Sequence, residues 1–289
     1  MSDDLRPRRS VLYMPAANAR ALEKAQTIAC DAIIFDLEDA VAPDAKALAR
    51  DQACAAVRSG NYGNKELTIR CNGLDTPWGA DDLAAAAAAA PAAVVIPKVS
   101  NVAYLERVSS WLDSAGAPAT TKIWAMIETP EAIYHAREIA AFERVSVLVM
   151  GTNDLAKELR AQLVPGRAPL VAHLAASLLA ARAAGKVILD GVYNDVRNEE
   201  GFAVEARQGF ELGFDGKTLV HPSQVDPTNS IWAPSEADID HAGRVIAAFE
   251  AAEAEGRGVV TVDGRMIENL HVDNARRTLA VAAAIAALG

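Results

Sequence analysis

Two carboxylates at the ends of consecutive strand-like runs are the residues best placed for chemistry in this chain. Lys122-Ile-Trp-Ala-Met-Ile127 stops at Glu128, and Ser146-Val-Leu-Val-Met-Gly151 stops just before Asp154. Their separation is about one strand–helix–strand repeat, which in a parallel α/β array sets both acids side by side on one rim. A hard divalent cation takes such a pair, with water and substrate oxygens completing an octahedron. Either acid alone reads equally well as a helix cap. Their surroundings favour the metal. The other runs also end on polar or special residues: Pro15-Ala-Ala-Asn18, Asp36-Leu-Glu-Asp39, Arg70-Cys-Asn72, Pro97-Lys98, Asp190 with Tyr193-Asn194, and His221-Pro222. Acids outnumber bases on this rim, so without a cation some would be driven toward protonation. Oxygen ligands suit Mg²⁺ or Mn²⁺ rather than zinc, and no His or Cys pair has zinc spacing.

Asp36, Glu38 and Asp39 are expected to act on the cation at one remove, through water. The competing reading has them capping the helix that begins near Asp44 and pairing with Arg or Lys. Arg70 ends an apolar run, and its planar fork reads as a clamp for a substrate carboxylate. A buried pair with the acids after the second strand is the alternative. Lys98 could hold substrate, but the surplus of acids should keep it charged and a poor Schiff-base nucleophile. Gly213-Phe-Asp-Gly-Lys-Thr218 ends like a phosphate-binding loop, yet Glu211 stands where that motif needs glycine, and a strand follows it.

Eight β-rich runs must carry these residues: Ser10–Pro15, Ala32–Leu37, Leu67–Asn72, Ala93–Lys98, Lys122–Ile127, Ser146–Gly151, Val187–Val192 and Lys217–His221. Most are continuously apolar, as strands buried on both faces are. Helix-like stretches such as Asn18–Cys30, Asp44–Ser59, Ala80–Ala90 and Val102–Ala115 alternate with them. The fold class expected is α/β, a (β/α)8 TIM barrel over residues 8–232. A doubly wound sheet is the runner-up, though no strand is followed by its glycine-rich fingerprint. Residues 233–289 form a surplus extension, with a helix over Pro234–Glu255, the run Val259–Gly264 and a last helix from about Asp273 to Leu288. It reads as a lid or an oligomer arm.

The chain has 289 residues, 51% of them hydrophobic, and a net charge of −10. That balance excludes a nucleic-acid partner, which needs a basic stripe. No run suggests a membrane span, the first residues lack a signal peptide's apolar stretch, and three unpaired cysteines read as reduced thiols. A cytoplasmic protein is expected.

The motifs Arg9-Ser-Val-Leu-Tyr-Met-Pro15, Asp36-Leu-Glu-Asp-Ala-Val41, Arg70-Cys-Asn72, Ile96-Pro-Lys98, Ile127-Glu-Thr129, Gly151-Thr-Asn-Asp-Leu155, Gly213-Phe-Asp-Gly-Lys217, His221-Pro-Ser-Gln224 and Gly264-Arg-Met-Ile-Glu268 occur in this order. Together they resemble the citrate lyase β-subunit-like family of the aldolase/citrate lyase superfamily, over about residues 8–280. The resemblance implies a Mg²⁺-dependent carbon–carbon lyase that splits a β-hydroxyacyl-CoA, such as malyl-CoA or citramalyl-CoA, into an α-keto acid and an acyl-CoA. The alternatives it leaves are a malyl-CoA thioesterase, or a citrate lyase β-type subunit acting on a carrier-bound thioester. It also implies that Glu128 and Asp154 hold the metal, that Arg70 holds the substrate carboxylate, and that Gly151, Thr152 and Asn153 line the keto-acid site. The C-terminal segment is expected to cover a neighbour's barrel in a homotrimer or hexamer, contributing an acid as acid/base catalyst. Here that residue is Glu268, where the family motif has aspartate. Pro15-Ala16-Ala17 likewise lacks the family's glycine after proline.

Overall fold

The computed structural model describes residues 5–288. They divide into two compact units, one spanning Arg8–Ile231 and the other comprising residues 5–7 and 232–288. The first unit contains the strands β1 (Ser10–Pro15), β2 (Ala32–Asp36), β3 (Glu66–Arg70), β4 (Ala93–Ile96), β5 (Lys122–Ile127), β6 (Val145–Met150), β7 (Val187–Asp190) and β8 (Gly216–Leu219). Each lies parallel to the next, and β8 returns to β1 through Ser10–Leu12 against Lys217–Leu219. That last pairing closes the barrel and disposes of the open-sheet alternative. Several expected strands end one or two residues early, because their polar terminal residues leave the hydrogen-bonded ladder to form the rim.

Val11, Ala32, Ile34, Ala93, Val95, Trp124, Met126, Val147, Val149 and Leu189 fill the barrel interior, with Tyr13 packed against them. They sit on alternate positions of their strands, as the period of two demands. Their partners on the outer faces pack under the helices, which is why the runs read as continuously apolar. Helices between the strands begin on caps that the sequence shows plainly: Asn18, Asn101, Thr129 and Asn198 each accept an N–H three residues on. The alanine-rich tract is a helix, Gly79–Ala89, with Ala86 and Ala87 buried and Pro91 soon after its end.

The second unit has its own small core, built from Ala242, Val245, Phe249, Val262, Ile267, Val272 and Ala275. A helix, Glu236–Ala254, starts on a reciprocal Ser235–Asp238 cap. Strands β9 (Val260–Val262) and β10 (Arg265–Ile267) then pair antiparallel, and a helix over Asn269–Ala286 follows. The sequence reading missed β10, since three residues are too few to show a period. It also began the last helix too late, overlooking Val272 as an apolar position of its first turns. No helix among the described residues is long and apolar enough to cross a membrane.

Candidate active site

Strand register builds the first half of the site. Asp36 and Arg70 are direct partners across β2 and β3. The guanidinium Nε and Nη2 therefore donate to the two Asp36 oxygens at 2.7 and 2.6 Å. Its Nη1 reaches Glu38 at 2.8 Å and Asp39 at 3.5 Å. Asp36 also accepts the N–H groups of Glu38 and Ala40, at 2.9 and 3.1 Å. Two expectations change here. The Arg70 fork is already occupied by Asp36, so a substrate carboxylate can meet this residue only on the Nη1 side, in place of Glu38. Asp36 holds Arg70 and its own loop, leaving it poorly disposed to reach a cation through water.

Lys46, which no sequence signal marked, braces the same loop. Its Nζ donates to the carbonyls of Leu37 and Glu38, both at 2.7 Å, and to Asn72 Oδ1 at 2.8 Å. A lysine early in an amphipathic helix looks like solvated surface until the loop folds over it.

The second half sits on β5 and β6. Ile127 pairs with Met150, so the next residues, Glu128 and Gly151, face each other. An added Cβ at Gly151 would overlap the Glu128 side chain, so only glycine allows this approach. Glu128 is buried, and its Oε1 accepts the Lys98 N–H at 2.7 Å. Lys98 adopts a left-handed backbone, φ 49°, which aims that N–H inward. Gly151 leads into the helix Thr152–Leu159, whose first turn carries Thr152, Asn153 and Asp154. The side-chain amides of Asn153 and Asn194 bond to each other reciprocally, at 3.1 and 2.7 Å. A cavity of about 320 Å³ opens between these groups, lined by Tyr13, Arg70, Glu128, Gly151, Asp154 and Asn194 among others.

Burial, then repulsion from Glu38, pushes the Glu128 carboxyl up to about 8, with Asp154 adding to it. Glu38 is raised to about 7, chiefly by burial, with Arg70 opposing and Asp39 and Asp36 reinforcing the rise. Desolvation works against the Lys98 ammonium, but Glu38, Asp154 and Glu128 outweigh it and hold its pKa above the ordinary value. An ammonium kept charged is a poor Schiff-base nucleophile.

Not every rim residue belongs to this site. Asp190 turns outward from the barrel and is fully buried, 2.9 Å from Lys217 Nζ and 2.6 Å from Arg167 Nη1. Burial opposes its charge, yet those two cations keep its pKa below the usual carboxylate value. His221 bonds to the Ser223 hydroxyl beside it. Glu268 belongs to the second unit, where it is exposed and precedes the helix Asn269–Ala286.

The donor set suits a hard cation. Glu128 and Asp154 offer only oxygens, and among the described residues no group of three or more His, Cys, Asp or Glu converges on one point. The pair leaves most positions to water and ligand, the habit of Mg²⁺. A divalent charge would also relieve the repulsion that raises Glu128. Because the folded value of about 8 exceeds the ordinary 4.5, metal-free protein loses stability as pH rises through 8. Mg²⁺ should offset that loss, so its thermal shift should be larger at about pH 8.5 than at about pH 6.5. Differential scanning calorimetry at the two pH values checks this; equal shifts would contradict it.

A model of the HpcH/HpaI aldolase/citrate lyase family matches residues 9–222. A (3S)-malyl-CoA thioesterase of Cereibacter sphaeroides is 51% identical over 287 residues, 99% of each chain. Citrate lyase subunit beta of Escherichia coli K12 is 38% identical, covering 95% of this chain and 93% of that one. The crystal structure of CitE from Mycobacterium tuberculosis, in complex with magnesium, acetoacetate and coenzyme A, is similar at a TM-score of 0.78 and 30% identity, over 96% of this chain and 98% of that one.

Proposed function

The chain belongs to the HpcH/HpaI aldolase/citrate lyase family, and from that premise we propose that it hydrolyses the thioester of a malyl-CoA-type 3-hydroxyacyl ester. The observation that carries this reading is the 51% identity, along essentially the whole chain, to a (3S)-malyl-CoA thioesterase. The carbon–carbon lyase favoured by the sequence motifs gives way to it, since the citrate lyase β relatives stand lower, at 38%.

Glu128 and Asp154 would hold Mg²⁺, which supplies positive charge to anchor the hydroxyacid and to offset charge developing on its oxygens. Gly151 lets Glu128 come up to the helix Thr152–Leu159, and the Thr152 and Asn153 backbone lines the acyl site. Water adds to the thioester carbonyl, the carbon–sulfur bond breaks, and the thiolate leaves. Glu38, half-ionised near neutral pH, takes the water proton, and a proton finally reaches the departing sulfur. The Lys98 ammonium, kept charged by Glu38, Asp154 and Glu128, adds positive potential that favours the negative oxygen of the tetrahedral intermediate. Glu268 remains the acid that a neighbouring copy of the chain would add, with the subunits in a trimer or hexamer.

Incubating the protein with Mg²⁺ and (3S)-malyl-CoA, with mass detection of products, tests the reading. Free malate plus CoA is the expected outcome. Glyoxylate plus acetyl-CoA would return the assignment to the lyase.

A further inference from the structure

We propose that the Tyr13 hydroxyl sets the acyl specificity of this site by donating a hydrogen bond to the carboxylate at the end of the hydroxyacyl group remote from the thioester. This deepens the function proposed above and rests on it for the identity of the acyl group.

Tyr13 lies inside β1, between Leu12 and Met14, rather than on the rim. Its ring packs against the barrel-interior cluster, and it lines the cavity together with Arg70 and Glu128. It therefore belongs to the floor. The Arg70 guanidinium carbon stands 4.9 Å from the ring centroid, which fixes the plane of the phenol. No described residue bonds to the hydroxyl. The residue is half-buried and its hydroxyl is open to the cavity rather than sealed in the core, so water can meet it until a ligand enters.

The protein's own acids do not supply that partner. Asp36 is taken by Arg70 and two backbone N–H groups, and Glu128 Oε1 by the Lys98 N–H. The free donor accordingly faces whatever enters the cavity. A space of about 320 Å³ takes an acyl group and the near end of its arm, leaving the nucleotide outside. With the thioester toward the mouth, the far end of the acid meets the floor. For a malyl group that end is a carboxylate, an acceptor drawn to the positive charge of Arg70 as well as to the phenol proton.

Tyr13→Phe keeps the ring and its stacking on Arg70, so a purely structural role would leave binding unchanged. Three quantities should be compared in wild type and variant with Mg²⁺ present: KM and kcat for (3S)-malyl-CoA hydrolysis, the Kd of free (S)-malate by calorimetry, and the Kd of CoA. Losing a hydrogen bond to a charged acceptor should weaken malate binding and raise KM by about 10- to 100-fold. Thermal stability, kcat and the CoA Kd should move little. Activity on 3-hydroxybutyryl-CoA, which has no remote carboxylate, should be unaffected, so the variant discriminates less. Unchanged malate affinity in Tyr13→Phe overturns the proposal, even if wild type hydrolyses malyl-CoA. Weakened malate binding without hydrolysis by wild type sustains it and overturns the thioesterase reading alone.

Discussion

Glu128→Gln should lose more than about 10³-fold in Mg²⁺-dependent turnover while remaining folded. The change replaces one carboxylate oxygen by an amide, at constant size, in a buried position. It removes the negative charge that a cation requires, and it also ends the repulsion among Glu128, Glu38 and Asp154. The metal-free variant should therefore be at least as stable as the metal-free wild type above pH 8, where wild-type Glu128 is ionised. Two opposite signs from one substitution make the test sharp. Steady-state hydrolysis, Mg²⁺ titration calorimetry and urea unfolding at about pH 8.5 read all three quantities. Turnover within tenfold of wild type, or an undiminished Mg²⁺ affinity, would remove Glu128 from the metal site.

Gly151→Ala should cost about 100-fold in activity through geometry alone. The backbone of Gly151 is not left-handed, with φ of −95°, so alanine carries no conformational penalty there. What it cannot do is share space with Glu128, whose carboxylate and Cβ both lie where the new methyl would fall. Either Glu128 is pushed aside or the start of the helix Thr152–Leu159 backs away, carrying Asp154 with it. A displacement of about 1 Å at a reacting centre is enough for a loss of that order. Kinetics paired with a crystal structure of the variant checks it. Full activity would show that Glu128 does not work from this position.

Much of the architecture was legible in the residues because it depends on short-range periods. Continuously apolar runs separated by capped helices specify parallel strands covered on both faces, and eight of them in sequence leave little but a closed barrel. Glu128, Gly151 and Asp154 were legible for the same reason: they lie at or just beyond strand ends, where such a barrel gathers its functional groups. The helix that begins at Asn18 was legible too, its start set by a local cap in which Asn18 accepts the Ala21 N–H.

Residue type could not say which partner each rim charge would choose. Arg70 is suited equally to a substrate and to Asp36, and the β2–β3 register decides for Asp36. Asp190 ends its strand as Asp36 does, but it points to the other side of the sheet, into a buried pocket with Lys217 and Arg167. Lys46 and Tyr13 gave no warning, one hidden in a helix pattern and the other in an apolar strand. Local sequence determined where the strands and helices run, because their periods and caps are settled within a few residues. Only the tertiary structure decided which charges meet, since those pairings join residues far apart in the chain and depend on register and loss of water.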